Sequence, residues 1–150
     1  MENVVNKVKE FLDYENNYYF YHETDNGYGE NICEEGLYLS GNNILGVKNL
    51  LYTTTAPLSE DITSDETEFI DFLSREKQTN GLRKVTEMVI LGIPKDDIDF
   101  AVDRLDNGYQ PDSVTNYIIR PQYVLGYIDL ENEDLIINEN YFDYYDDYTY

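Results

Sequence analysis

The chain has no tryptophan, one cysteine, one histidine and only four prolines in 150 residues. A single cysteine excludes an intramolecular disulfide and fits a reducing compartment. No stretch approaches the roughly 18 consecutive apolar residues that a membrane helix requires. Met1 to Leu12 mixes apolar and charged residues, so it does not read as a secretory leader. A cytoplasmic protein without membrane association is expected. Positive charge is also scarce, with ten Lys and Arg against 31 Asp and Glu, a net charge of −21. That scarcity excludes nonspecific nucleic-acid binding, because phosphate contacts need cations. After Arg120 no cation remains. No glycine-rich phosphate loop, zinc-ligand spacing or hydrolase elbow occurs, and no metal is expected.

What the chain has in excess is acid and tyrosine. A charge of −21 makes a compact state repel itself, so burial has to offset that cost. Acidic surfaces usually serve solubility, but this one also suits a basic partner, including a protein whose own ligand is nucleic acid. The 16 tyrosines supply side chains with an apolar body and a polar tip, which makes good contact area. The length fits one domain, large enough to bury about 70% of the unfolded surface.

Hydrophobic spacing predicts an N-terminal helix over Glu2 to Leu12, carried by Val4, Val5, Val8, Phe11 and Leu12. Tyr18 to His22 reads as a strand, Tyr28 to Glu35 as a short helix closed by Gly36, and Leu37 to Ser40 as a strand. Gly41-Asn42-Asn43 is a turn. Leu50 to Thr55 is β-branched and aromatic and reads as a strand ended by Pro57. An acidic loop over Leu58 to Asp65 leads to a helix capped by Ser64 or Asp65. Glu68 completes a capping box. This helix buries Phe69, Phe72 and Leu73 and stops near Lys77, before the break at Thr79-Asn80-Gly81. Val85 to Ile93 is a continuous apolar run, as a central strand requires, and Pro94 stops it. A short helix falls within Lys95 to Leu105, and Asp106 to Ser113 is a loop. Strands over Tyr117 to Arg120 and Tyr123 to Asp129 flank Pro121. Leu135 to Asn138 returns as a hairpin partner across the turn at 131–134. The expected domain is 1–138, α+β, with a split and mostly antiparallel sheet. Residues 139–150 form an acidic tyrosine-rich tail.

The sole histidine, His22, stands at the end of the first strand beside a glycine-bearing loop, a plausible ligand position. Cys33 reads as a packed thiol rather than a nucleophile, since no supporting Asn or Asp is evident. Acidic groups such as Asp96-Asp97-Asp99 lack calcium-loop spacing and read as solvated carboxylates. Arg75, Lys77, Arg83 and Lys84 concentrate four of the ten cations and read as ion-pair partners of the acidic surface.

Tyr21-His22-Glu23-Thr24, the Ile32 to Leu37 step ending in Gly-Leu, and the later order of elements resemble the ADP-ribosyltransferase superfamily over residues 18 to 138. There a His-x-Thr motif ends the first strand. The resemblance implies NAD as cofactor. His22 would bond a ribose hydroxyl, the main chain at Glu23 would hold the nicotinamide amide, Thr24 would support the strand end, and Tyr52 would stack on the nicotinamide ring. An imidazole has a donor and an acceptor for a diol, and an aromatic face suits a cationic ring. Two positions depart from the pattern. Glu23 replaces the usual glycine. Gln122 stands where a late strand should begin with the catalytic glutamate, and an amide cannot supply that charge. Glu87 and Glu131 match that position less well. Arg83, Lys84 and Arg120 are the candidate cations for a pyrophosphate.

Two functions therefore stand side by side. One is a small ADP-ribosyltransferase-like protein, toxin-like or antidefence in role, modifying a host macromolecule with His22 and Gln122 at its catalytic centre. The other is a noncatalytic acidic inhibitor that mimics nucleic acid in the basic groove of a nucleic-acid-processing protein, as antirestriction and anti-CRISPR proteins do. In the second, Tyr141, Tyr144, Tyr145, Asp146, Asp147 and Tyr148 of the tail would contact the partner.

Overall fold

The apolar stripes and turn residues of the chain generate its elements in order. The computed structural model describes residues 1–25, 27–41, 46–83, 86–105 and 115–142. Helix α1 (Glu2–Lys9) buries Val4, Val5 and Val8, with Glu2 in its first turn and Lys7 and Lys9 in its last, each charge complementing the helix dipole. Strand β1 (Asn17–Thr24) leads to α2 (Tyr28–Glu35). Gly36 ends α2 at φ +97°, where a side chain would be strained and would strike the Ile119 carbonyl. β2 (Leu37–Gly41), α3 (Val47–Thr54), β3 (Ala56–Pro57) and the single turn α4 (Glu60–Thr63) follow. α5 (Glu66–Arg83) starts under an Asp65 cap, whose carboxylate accepts the Glu68 N–H at 3.1 Å. The rest is β4 (Glu87–Pro94), β5 (Val102–Arg104), β6 (Thr115–Ile119), β7 (Val124–Asp129) and β8 (Asp134–Ile137).

Three sequence expectations give way here. Leu50 to Thr55 belongs to a helix rather than a strand. Val47, Leu50 and Leu51 are buried at helical spacing. The threonines that favour a strand instead turn their hydroxyls back, Thr53 and Thr54 donating to the Leu50 carbonyl and Thr55 to that of Leu51, at 2.6–2.9 Å. The Thr79-Asn80-Gly81 break does not stop α5, which continues to Arg83. A glycine costs only about 1 kcal/mol there, and Phe69, Phe72 and Leu73 anchor the helix upstream. The acidic loop over 58–65 contains α4, capped by Ser59.

The fold is α+β with two antiparallel sheets. One runs β3-β1-β4-β7-β8 and the other β2-β6-β5. β4 sits in the middle of the larger sheet and is buried on both faces from Glu87 to Ile93. Its Val89, Leu91 and Ile93 join Phe20, Leu39, Tyr117 and Ile119 in a core shared with the smaller sheet, α2 and α3. Its Met88 and Ile90 join Val5, Val8, Phe69 and Leu73 beneath α1 and α5. Thus the unbroken apolar run of β4 reflects two cores, one on each side.

The tail begins inside the second core. Tyr141 is fully buried, its hydroxyl in the space left by the missing side chain of Gly92. Asn138 donates to the Pro121 and Val124 carbonyls at 3.0 and 2.9 Å, and Asn140 donates to the Cys33 carbonyl at 3.3 Å. Tyr141 is therefore a core residue and not the contact residue expected. Tyr144, Tyr145, Asp146, Asp147 and Tyr148 lie outside the described residues. Tyr141→Ala is expected to destabilise the protein by about 3–5 kcal/mol, as for other large buried aromatics. A urea titration checks this, since an exposed contact tyrosine would move stability by no more than about 0.5 kcal/mol.

Candidate functional site

Alternation along β1 divides its aromatic run between the two cores. Tyr18 and Phe20 face the smaller sheet. Tyr19 and Tyr21 face α5, with the Tyr21 ring 5.4 Å from that of Phe72. His22 and Thr24 share parity with Phe20, and Glu23 shares parity with Tyr21, whose phenol is raised by burial, then by Glu76 and by Glu23. The bulk of Glu23 is thus on the opposite face of the sheet from His22.

α3 brings Tyr52 to that inter-sheet face. The Tyr52 ring meets Phe20 edge-on at 5.4 Å and 77°, and remains 46% exposed. Phe20 is two residues from His22 along the strand, so one face carries Tyr18, Phe20, Tyr52 and His22. His22 is half-buried, and burial alone pushes its pKa down from 6.5. At neutral pH the ring is uncharged, with one donor and one acceptor nitrogen.

Glu87 fixes the chain just beyond His22. Its carboxylate is buried and accepts the N–H groups of Gly27 at 3.1 Å and Gly29 at 2.8 Å. Gly29 has no room for a side chain, since a Cβ there would stand 2.6 Å from the Tyr127 ring and 2.7 Å from Glu87 Oε1. His22 pairs with Val89, and Thr24 pairs with Glu87. Glu87 is therefore the diagonal neighbour of His22 on the same face, about 7–8 Å away by strand geometry. Thr24 accepts the Thr86 N–H at 3.1 Å and ties the strand end to β4. Tyr127, opposite Val89, completes this end of the face, its phenol raised by burial and then by Glu87.

Gln122 is not brought to His22. It is exposed in a 3₁₀ turn, Pro121–Tyr123, that leads into β7. Both β1 and β7 run antiparallel to β4, so the start of β7 lies beside the start of β1. His22 is near the end of β1. Leu91 pairs with both Phe20 and Val124, which puts Gln122 about 13 Å from His22 along the strands, two strands over.

The expected cations are committed elsewhere or undescribed. Arg120 donates to the Phe100 carbonyl at 2.6 Å, lies 3.6 Å from Asp103 and covers the Tyr123 ring. The Arg83 side chain and Lys84 lie outside the described residues. Lys77 is 3.8 Å from Glu133. Two lysines that sequence reading passed over stand at the site instead. Lys48 Nζ is 4.3 Å from the Tyr18 ring centre and 5.9 Å from that of Tyr52, and Lys95 Nζ is 5.5 Å from Tyr18. Forty-seven positions apart in the chain, they leave no local signal. Cys33 is packed in the core. Burial first, then Glu87, Glu30 and Glu34, push its thiol up to about 12, far from a reactive thiolate. Among the described residues no trio of His, Cys, Asp or Glu is placed to hold a metal, and no helix is long and apolar enough to cross a membrane.

No family model matches the chain, and no curated protein or solved structure is significantly similar to it.

The lowered pKa of His22 has a consequence for stability. Below pH 6.5 the unfolded chain takes up a proton that the folded ring resists. The contribution of His22 is then lost as pH falls from 6.5 toward the lower folded value. Relative to His22→Gln, the wild-type protein is expected to lose urea resistance between pH 7 and 5. Parallel profiles for the two proteins would show that the ring titrates alike in both states.

Proposed function

We propose that the chain is an ADP-ribosyltransferase-like protein that holds NAD along the inter-sheet face of β1, with the nicotinamide ribose at His22 and the nicotinamide ring on Tyr52. The supporting observation is that His22, Phe20 and Tyr52 share one face although Tyr52 comes from a different element. An uncharged imidazole offers a ribose diol the donor and acceptor it needs. The Tyr52 ring, nearly half exposed, offers an aromatic surface to a cationic heterocycle. Glu23, the residue bulkier than the motif allows, belongs to the opposite face by strand parity.

NAD, when bound, supplies the transferable ADP-ribosyl group and nicotinamide as its leaving group. In this proposal Glu87 takes the place that the motif gave to Gln122. It is the carboxylate diagonal to His22 on the same face, and two backbone N–H groups hold it. Each carboxylate oxygen keeps a further lone pair, and a fixed negative charge favours a centre that becomes positive.

A second proposal rests on the exposed aromatics. Tyr28, Tyr38 and Phe100 are 57%, 60% and 70% exposed on a chain of charge −21. That combination suits an acidic inhibitor seated in a basic groove.

Calorimetric NAD binding and nicotinamide release separate the two. NAD affinity is expected to fall at least tenfold in His22→Ala and to stay unchanged in Gln122→Ala. Glu87→Gln is expected to keep NAD binding and lose nicotinamide release, with circular dichroism confirming that each variant folds. Absence of NAD binding, or equal binding by His22→Ala, would overturn the first proposal. The second would then be tested by salt-dependent association with basic nucleic-acid-binding proteins.

A further inference from the structure

With three acids for every base, a lysine in this chain is expected to rest on a carboxylate. Lys7 lies 3.0 Å from Asp134, and Lys77 lies 3.8 Å from Glu133. Among the described residues Lys48 and Lys95 share with Lys9 the lack of a carboxylate within 4 Å and differ from it in where their charges lie. Both ammonium groups instead converge on the ring of Tyr18, at 4.3 and 5.5 Å from its centre. An exposed cation–π contact contributes only about 0.5–1 kcal/mol. These two charges therefore remain available to an anion, in a molecule whose surface otherwise repels one.

They stand beside a cleft of about 280 Å³, whose lining includes Tyr14, Tyr18, Tyr52, Ser59, Glu60 and Lys95. Three tyrosines and a lysine match a ligand with a flat ring at one end and an anion at the other. The volume falls just below the range of roughly 300–1,000 Å³ for small-molecule sites, so a ligand seated there keeps part of itself at the open rim. Glu60 disfavours a second anion on its side and suits a base that presents an amino group.

We infer that this cleft binds a nucleoside monophosphate, its base against the tyrosines and its phosphate between Lys48 and Lys95. Lysine is suited to this role as a compact charge with three donors. The site is not the one at His22. Tyr18 is four residues from His22 on β1, about 13 Å away, and Phe20 and Tyr52 border both. The inference therefore does not rest on NAD binding.

The experiment is calorimetric titration of the full chain with AMP, adenosine and inorganic phosphate, at two salt concentrations. It is repeated on the double variant Lys48→Gln/Lys95→Gln and on His22→Ala. Lys95 is exposed and Lys48 half-buried, neither in a core, so the double variant should fold, and circular dichroism checks it. Expected are AMP binding that weakens with salt, at least tenfold weaker binding of adenosine and of phosphate alone, and at least tenfold loss in the double variant. His22→Ala should keep AMP affinity. Three results would each overturn the inference: no AMP binding, AMP affinity unchanged in the double variant, or phosphate binding as tightly as AMP. Loss of AMP binding in His22→Ala would also count against it, because it would place the ligand at the other site.

Discussion

Burial of β4 on both faces is the constraint on which the rest of the molecule depends. A strand with one wet face could have alternated polar and apolar residues. Met88 to Ile93 cannot, because the smaller sheet with α2 and α3 covers one side and α1 with α5 covers the other. Fully burying a large aliphatic side chain contributes about 1.5–3 kcal/mol. Each such residue of β4 does this while fixing a neighbouring layer in place. In a chain of charge −21, that density of apolar contact opposes the self-repulsion of the compact state.

The same strand organises the candidate site. His22, Thr24, Glu87, Val89 and Tyr127 lie in alternate pairing rows of β1, β4 and β7, on one face. Their positions are therefore set by backbone hydrogen bonds rather than by loops. The segment after His22 is held in the same way, since a buried carboxylate takes two of its N–H groups. Preorganisation of this kind reduces the ordering a ligand must bring about on binding. The lysine pair stands at the other end of the β1 face, where Lys48 and Lys95 both approach the Tyr18 ring.

Local chemistry made some of this legible in the sequence. The unbroken run in β4, the Asp65 cap of α5 and the glycine that ends α2 each carry their signal within a few residues. The errors came where the deciding partner is distant. Thr53, Thr54 and Thr55 look like a strand until Val47, Leu50 and Leu51 are seen to share one buried stripe with helical spacing. Gln122 looked like the partner of His22 because element order was legible and strand direction was not. Tyr141 has the same composition around it as the residues that follow. Its place is set by the space over Gly92, a residue far away in the chain. Lys48 and Lys95 are unremarkable in sequence, and only their common approach to Tyr18 sets them apart.

The pairing of β1 has a consequence for the order in which the protein is made. Thr24 pairs with Glu87 and Asn17 with Pro94, so β1 leaves the ribosome 63 to 77 residues ahead of its main partner. For that interval its tyrosines and Phe20 lack the strand that pairs along their whole length, and such long-range pairing is slow to form. The second core then stays open until Tyr141 has emerged to fill the space over Gly92. The many carboxylates between these segments keep the nascent chain repelling its neighbours during that time. The charge that costs stability in the finished protein thus protects it from aggregation while it is being completed.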